Sequence, residues 1–372
     1  MRAATSIPML IRAVSRFLLF ACVTGTPARA EEISARIPGR TSHEGSSLLA
    51  VENAPLLAAN GWKRAFWVAF DEGDAGSPLG LLGERNADGQ WDLKDVRLRG
   101  DQTKIDDTEA LARRNGFIYL VGSHFGKKKG KLEAVRQFVA RFREADVQAA
   151  SPEVHLEVRQ DDFALHRLIN DALAASGIEL IPRGAGEEKE YIEKTRKSDE
   201  PGKDRISKDD RALNIEGATF LASGGLALGL RYPVTKRGEP LIVVLGDAEA
   251  LFDHRMPKVE AVWVLHVANA PGQLRGIREL ESSGGEIQVV TGSIERTSPD
   301  SPLLKDHPGA DAVTSEHRAF AEPNPTVKAI ESRRIRDLAP AGNVEGIAVD
   351  GGDWYLFDDP NEIRVRHETA RP

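Results

Sequence analysis

The chain has 372 residues, 41% of them hydrophobic, with 34 glycines and one cysteine, and its 57 acidic side chains outnumber 50 basic ones for a net charge of −7. An acidic balance argues against nucleic acid, whose phosphates select basic surfaces. A single cysteine excludes a disulfide framework.

Residues 1–30 read as an export signal. Arg2, Arg12 and Arg16 precede the apolar run Phe17 to Gly25, and Ala28-Arg29-Ala30 forms a small-x-small cleavage step. A lipoprotein signal ending at Cys22 competes with this reading, and the bulky Phe20 stands against it. The run is too short to span a bilayer and no later segment approaches that length. A periplasmic or secreted protein with no transmembrane segment is therefore expected. Cleavage after Ala30 removes four arginines, no acid and Cys22, leaving a thiol-free chain of net charge −11.

From there the chain reads as short apolar runs bounded by Gly, Asp or Pro, the pattern of strands in stacked sheets. A first unit uses Ser47 to Glu52, Ala65 to Phe70, Leu79 to Gly83 and Val96 to Arg99. A second uses Glu109 to Ala112, Phe117 to Gly122, Val135 to Phe142 and Val154 to Val158. Asp161 to Arg211 breaks the pattern: Phe163 to Asn170 is apolar at helical spacing, and Gly184 to Asp210 is dominated by charge, as a mobile loop or exposed helix is. The third unit runs through Ile215 to Leu221, Gly225 to Arg231, Pro240 to Leu245 and Val259 to Val267. The fourth takes Leu274 to Leu280, Glu286 to Gly292, a stretch near Ala319 and Val327 to Arg334, with Ser298 to Pro325 as a long loop. The last has only Val344 to Val349, Trp354 to Phe357 and Ile363 to His367.

One phrase recurs at the head of these units: Asp107-Thr108-Glu109-Ala110-Leu111, Asn214-Ile215-Glu216-Gly217-Ala218 and Asn343-Val344-Glu345-Gly346-Ile347. A strand-turn-strand unit returning at a wide period indicates a radially repeated all-β fold. The expectation is one β-propeller over residues 31–372, five blades preferred and six admissible, with a helical insertion over 161–211. Ile33 to Ile37 supplies the strand missing from the last blade and so protects two sheet edges.

The innermost strand of each blade lines the axis, so Glu109, Glu216 and Glu345 converge there. Like charges so gathered need cations or raised pKa values. His124, Arg231 and Arg278 lie at or near the ends of strands in the same repeats. Three readings follow. A mixed acid and base pocket binds a polar or phosphorylated ligand, with arginines gripping the anion; the three glutamates hold Ca²⁺ or a similar hard cation; or each glutamate only fixes blade register by accepting backbone N–H groups. His124, after Gly122-Ser123, is either a base at a pocket rim or an ordinary histidine. Arg278 is either a ligand group or the partner of a neighbouring blade's acid. Asp71-Glu72 and Asp358-Asp359, at equivalent strand ends, read as turns before they read as a cation site. Gly126 to Lys131 lacks the glycine spacing and the Ser or Thr of a phosphate loop, and its lysines read as a solvated hairpin tip. Signatures of nucleophilic, zinc and dinucleotide chemistry are missing.

The segments Asp106 to Lys129, Asn214 to Val234, Gly276 to Leu280 and Asn343 to Asp359 resemble a family of bacterial propeller-like proteins known as domain of unknown function 3616. Thr108-Glu109-Ala110-Leu111 running into Gly122-Ser123-His124, Asn214-Ile215-Glu216-Gly217 into Gly229-Leu230-Arg231, and Gly276-Ile277-Arg278-Glu279-Leu280 carry the resemblance. It implies a propeller and no particular reaction. The acid-Gly phrases are also similar to those of the esterase-like phytase family, which implies a metal-assisted phosphoesterase or esterase as the alternative to a binding protein.

Overall fold

The strand Trp62–Phe70 shows why a wheel forms. Ala65, Trp67 and Ala69 pack towards one neighbouring sheet, while Phe66, Val68 and Phe70 pack towards the other. Side chains alternate along a strand, so one that is apolar on both faces must lie between two sheets. The structure, a computed structural model, describes residues 30–71, 77–99, 104–127, 130–148, 152–295, 300–339 and 343–369. The export signal with Cys22, and Glu72, Lys128 and Lys129, lie outside the described residues.

Five antiparallel blades surround one axis. Blade 1 is Gly45–Ala50, Trp62–Phe70, Leu79–Arg85 and Trp91–Asp95. Blade 2 is Thr108–Arg114, Phe117–Gly122, Phe138–Arg143 and Glu157–Gln160. Blade 3 is Asn214–Phe220, Leu226–Tyr232, Leu241–Gly246 and Lys258–His266. Blade 4 is Arg275–Ser283, Glu286–Ser293, Glu316–Ala321 and Arg333–Asp337. Blade 5 is Val344–Val349, Asp353–Phe357 and Ile363–Glu368, completed by Glu31–Ala35 from the other end of the chain. The innermost strands pack side by side in a closed ring, blade 5 against blade 1 included. Each interface between blades has its own apolar cluster, centred on Trp67 and Phe142, Tyr119 and Leu228, Trp263 and Ile277, Val290 and Tyr355, and Phe66 and Trp354.

Three outer strands differ from expectation, the first being Val154 to Val158 of blade 2: Glu153–Val154 lies outside the blade and Glu157–Gln160 closes it. Trp91–Asp95 closes blade 1, and Arg97–Leu98 leaves it to pair in parallel with Glu153–Val154. Val327 to Arg334 is divided: Ala329–Glu331 adds a parallel fifth strand to blade 3, and Arg333–Asp337 belongs to blade 4. Outer strands are half exposed, so their apolar signal is weak.

The segment 161–211 also differs. The helix Ala164–Ser176 buries Leu165, Ile169 and Leu173 against blades 2 and 3. The charged stretch after it is neither a loop nor an exposed helix: a π-helical turn, Glu187–Glu193, leads into Lys194–Lys197, and Tyr191, Ile192 and Ile206 pack with Phe125, Leu132, Tyr232, Ile294 and Leu303. Few apolar residues suffice because the buried charges are paired. Glu187, fully buried, takes Arg211 in a two-pronged ion pair at 2.9 and 3.0 Å. Among the described residues no helix is long and apolar enough to cross a membrane.

Closure by Glu31–Ala35 is testable. Ile33 is 4% exposed in the interface of blades 5 and 1. Ile33→Ala is expected to lower unfolding free energy in urea by about 2–4 kcal/mol, whereas Glu32→Ala on the exposed face changes it by about 0.5 kcal/mol or less. Equal, small effects would mean that the closing strand contributes nothing.

Candidate functional site

Each innermost strand slips by one residue against its neighbour near its start. The slips fall between Gly45 and Ser47, Thr108 and Ala110, Ile215 and Gly217, Ile277 and Glu279, and Val344 and Gly346. The residues passed over are Ser46, Glu109, Glu216, Arg278 and Glu345. A β-bulge leaves one residue out of the ladder and re-aims its side chain. Here it gives the recurring phrase its meaning: the Glu is the bulged residue of blades 2, 3 and 5, and Arg278 takes its place in blade 4. The small residue that follows keeps neighbouring blades close. A Cβ on Gly217 would stand 3.0 Å from the backbone of Glu279, and one on Gly346 3.0 Å from that of Leu48.

Towards blades 3, 4 and 5 the hub is an ion-pair ladder. Glu216 receives Arg231 Nη1 at 2.5 Å and Asn214 Nδ2 at 3.2 Å, with Arg278 Nη1 at 3.0 Å from its second oxygen. The other end of Arg278 pairs with Glu345, which Asn343 also contacts. Burial and the nearby Arg231 lower the Arg278 guanidinium to about 10, so it stays charged at neutral pH.

Towards blades 1 and 2 carboxylates accumulate instead. Asp71, Asp107 and Glu109 each place an oxygen within 4.8 Å of the others. Arg136 Nη1 lies 2.7 Å from Asp107, which also accepts the Ser123 hydroxyl, and Arg136 Nη2 lies 3.2 Å from Asp106. Glu109 has neither hydrogen bond nor ion pair among the described residues. Burial, then repulsion from Glu216, Asp107 and Asp71, holds its carboxyl well above the usual range. Asp107, Glu109 and Glu345 keep partial exposure, so the cluster opens to solvent.

Below the mouth a buried side-chain bond crosses the axis. Glu279 is 1% exposed and reaches across the hub to the Ser47 hydroxyl, while the amide of Leu280 donates to its other oxygen at 2.9 Å. Ser47 Oγ in turn accepts from Leu111 N of blade 2 at 3.1 Å. Burial pushes the Glu279 carboxyl well above its ordinary value. Through these bonds Glu279 and Ser47 tie blades 4, 1 and 2 together below the mouth.

The glutamates named from sequence therefore separate into two groups. Glu216 and Glu345 are paired with arginines, so Glu109, Glu216 and Glu345 do not form one free carboxylate set; the carboxylates that lie together are Glu109, Asp71 and Asp107. Arg231 and Arg278 reach the hub. His124 does not stand at an open rim: it is fully buried beneath the insertion beside Gln137 and His166, and burial lowers its imidazole to about 4. Arg136 and Glu279 went unrecognised. Glu279 carries a signal, because it occupies the place where the repeated phrase has Ala or Gly.

No family model matches the chain, and no curated protein matches it. Solved structures of similar shape include an alpha-L-arabinofuranosidase from Clostridium thermocellum, at 11% identity over 84% of this chain and 82% of that one with a TM-score of 0.40. A mannose phosphorylase from Leishmania mexicana is 13% identical over 90% and 86% of the two chains, TM-score 0.39. An exo-1,5-alpha-L-arabinanase from a bovine ruminal metagenomic library is 10% identical over 89% and 94%, TM-score 0.38.

Two outcomes follow from this chemistry. Arg278→Met strands the buried charges of Glu216 and Glu345 and is expected to cost about 3–5 kcal/mol; adding Glu216→Gln and Glu345→Gln should restore part of it. A loss below about 1 kcal/mol in urea titrations would show that the ladder stabilises nothing. His166, fully buried and lowered by burial to about 3, takes no proton in the native state where the unfolded chain does. Its contribution is thus lost as pH falls from 6.5 towards about 3, by about 1.4 kcal/mol per pH unit. His166→Gln should lessen the fall in stability between pH 6.5 and 4 by that slope, and parallel wild-type and variant curves would contradict it.

Proposed function

We propose that this chain is an exported propeller that binds a ligand at the mouth of its hub, and that the ligand's contact group is a hard divalent cation of the Ca²⁺ type held by Asp71, Asp107 and Glu109. One observation carries the reading: three carboxylates from two blades meet within 4.8 Å, with Arg136 at Asp107. Such a cluster is relieved by a proton or by a cation. Ca²⁺ takes about 6–8 oxygens, so three carboxylates leave places for water or for the oxygens of a ligand in the open mouth. Membership of the domain of unknown function 3616 family, which the repeat phrases support, is part of this proposal and supplies no reaction.

The same cluster favours a second reading, a metal-assisted esterase or phosphoesterase. A carboxyl whose burial and acidic neighbours make it hold its proton more tightly than usual, beside a cation site, is suited to donate that proton to a leaving group.

Melting curves with and without Ca²⁺, for wild type and Glu109→Gln, test the first reading. For an affinity of about 10⁻⁴ M, Ca²⁺ at a hundredfold excess stabilises wild type by about 2.7 kcal/mol, and Glu109→Gln loses most of that shift. Identical curves for wild type with and without Ca²⁺ remove the cation. Turnover of phenyl phosphate or p-nitrophenyl acetate that needs Ca²⁺ and disappears in Glu109→Gln would make the second reading the correct one.

A further inference from the structure

The insertion is anchored beside the hub. Arg211 joins Glu187 in the two-pronged pair and donates to the Tyr232 hydroxyl at 2.6 Å, while Ala212 N donates to Glu187 at 2.9 Å. Arg211 leads within a few residues to Asn214 and Glu216. Tyr232 directly follows Arg231, which clamps Glu216. On the blade 2 side, Thr195 Oγ1 accepts from Leu132 N and Glu200 accepts from Ala134 N, each at 2.8 Å, in the loop that carries Arg136. His166 is near enough to His124 for the two imidazoles to disfavour each other's charge, and His124 stands one residue beyond Ser123, whose hydroxyl meets Asp107. Each anchor therefore shares a short stretch of backbone with a charged group of the mouth.

We propose that the insertion is a docked lid whose hold on the propeller is coupled to the charge state of the mouth. This rests on the cation reading for the identity of the ligand. A positive charge among Asp71, Asp107 and Glu109 removes their repulsion from one another and from Glu216. The strand ends that carry Ser123, Arg136 and Arg231 are then drawn into one arrangement, and the lid's anchors are fixed by those same strand ends. The lid is the element able to have two states. The helix Ala164–Ser176 packs firmly between blades 2 and 3, but the part after it, Glu187 to Ile206, buries only Tyr191, Ile192 and Ile206 in its apolar cluster beside one charge pair, so that part opens at lower free energy than the blades. Coupling of this kind is reciprocal: what the cation adds to lid docking, lid docking adds to cation affinity.

Hydrogen exchange read by mass spectrometry on the full chain tests this. Ca²⁺ is expected to slow exchange across 164–206 by about fivefold or more, the lower end of measured couplings. Arg211→Lys, which keeps the charge but breaks the planar fork, should weaken Ca²⁺ binding by a matching factor. At alkaline pH, where the Glu109 carboxyl is ionised, Glu109→Gln removes one charge from the mouth with no cation present, and should by itself change exchange across 164–206. If Ca²⁺ leaves wild type unaltered while Glu109→Gln changes lid exchange, the cation falls and the coupling stands. If Ca²⁺ raises the melting midpoint but neither Ca²⁺ nor Glu109→Gln changes lid exchange, the coupling is overturned. If neither has any effect on melting or exchange, both ideas fail.

Discussion

A one-residue slip in the hydrogen-bond ladder, made once near the start of every innermost strand, is the constraint from which the rest of this molecule follows. It turns side chains that regular pleating would bury between blades towards the axis instead. Five such turns bring together residues separated by most of the chain. The close packing of the ring then demands almost nothing at the next position, as Gly217 and Gly346 show. Where that demand is broken, at Ser47 and Glu279, the two exceptions face each other across the hub and bond.

The mouth is consequently lopsided. Three blades place guanidinium groups between their carboxylates and are neutral locally. Two blades gather Asp71, Asp107 and Glu109, with Arg136 at Asp107. A symmetric scaffold has thus been given one polarised sector, and it is the sector where Glu109 keeps no partner. Binding sites in radial folds arise in this way, from departures within a repeated device rather than from a separate motif.

Much of the wheel was legible in the sequence, because the phrase around Glu109, Glu216 and Glu345 returns with its strands and because Ala65 to Phe70 is apolar without interruption. The convergence of those acids with Arg231 and Arg278 followed from the repeat. Outer strands were harder. Trp91–Asp95 alternates with polar residues and is only half buried, so Val96 to Arg99 looked as good. The insertion was misjudged for a different reason. Its charge content indicated solvent, but Glu187 finds Arg211 and Tyr232 far along the chain, and no local pattern records such a partner. Asp71 was read as a turn residue, because what raises it to a site is the neighbouring blade.

The pairing of Glu31–Ala35 with Ile363–His367 has a further consequence, for biogenesis. The first strand and the last blade are separated by nearly the whole chain, and contacts of that span form late and slowly. Until translation delivers the final strand, the opening segment has nothing to zip onto and two sheet edges stay adhesive. A ribosome that stalls before the last blade therefore releases an unfinished crescent prone to self-association, which marks this chain as one that gains from a chaperone holding it until synthesis ends.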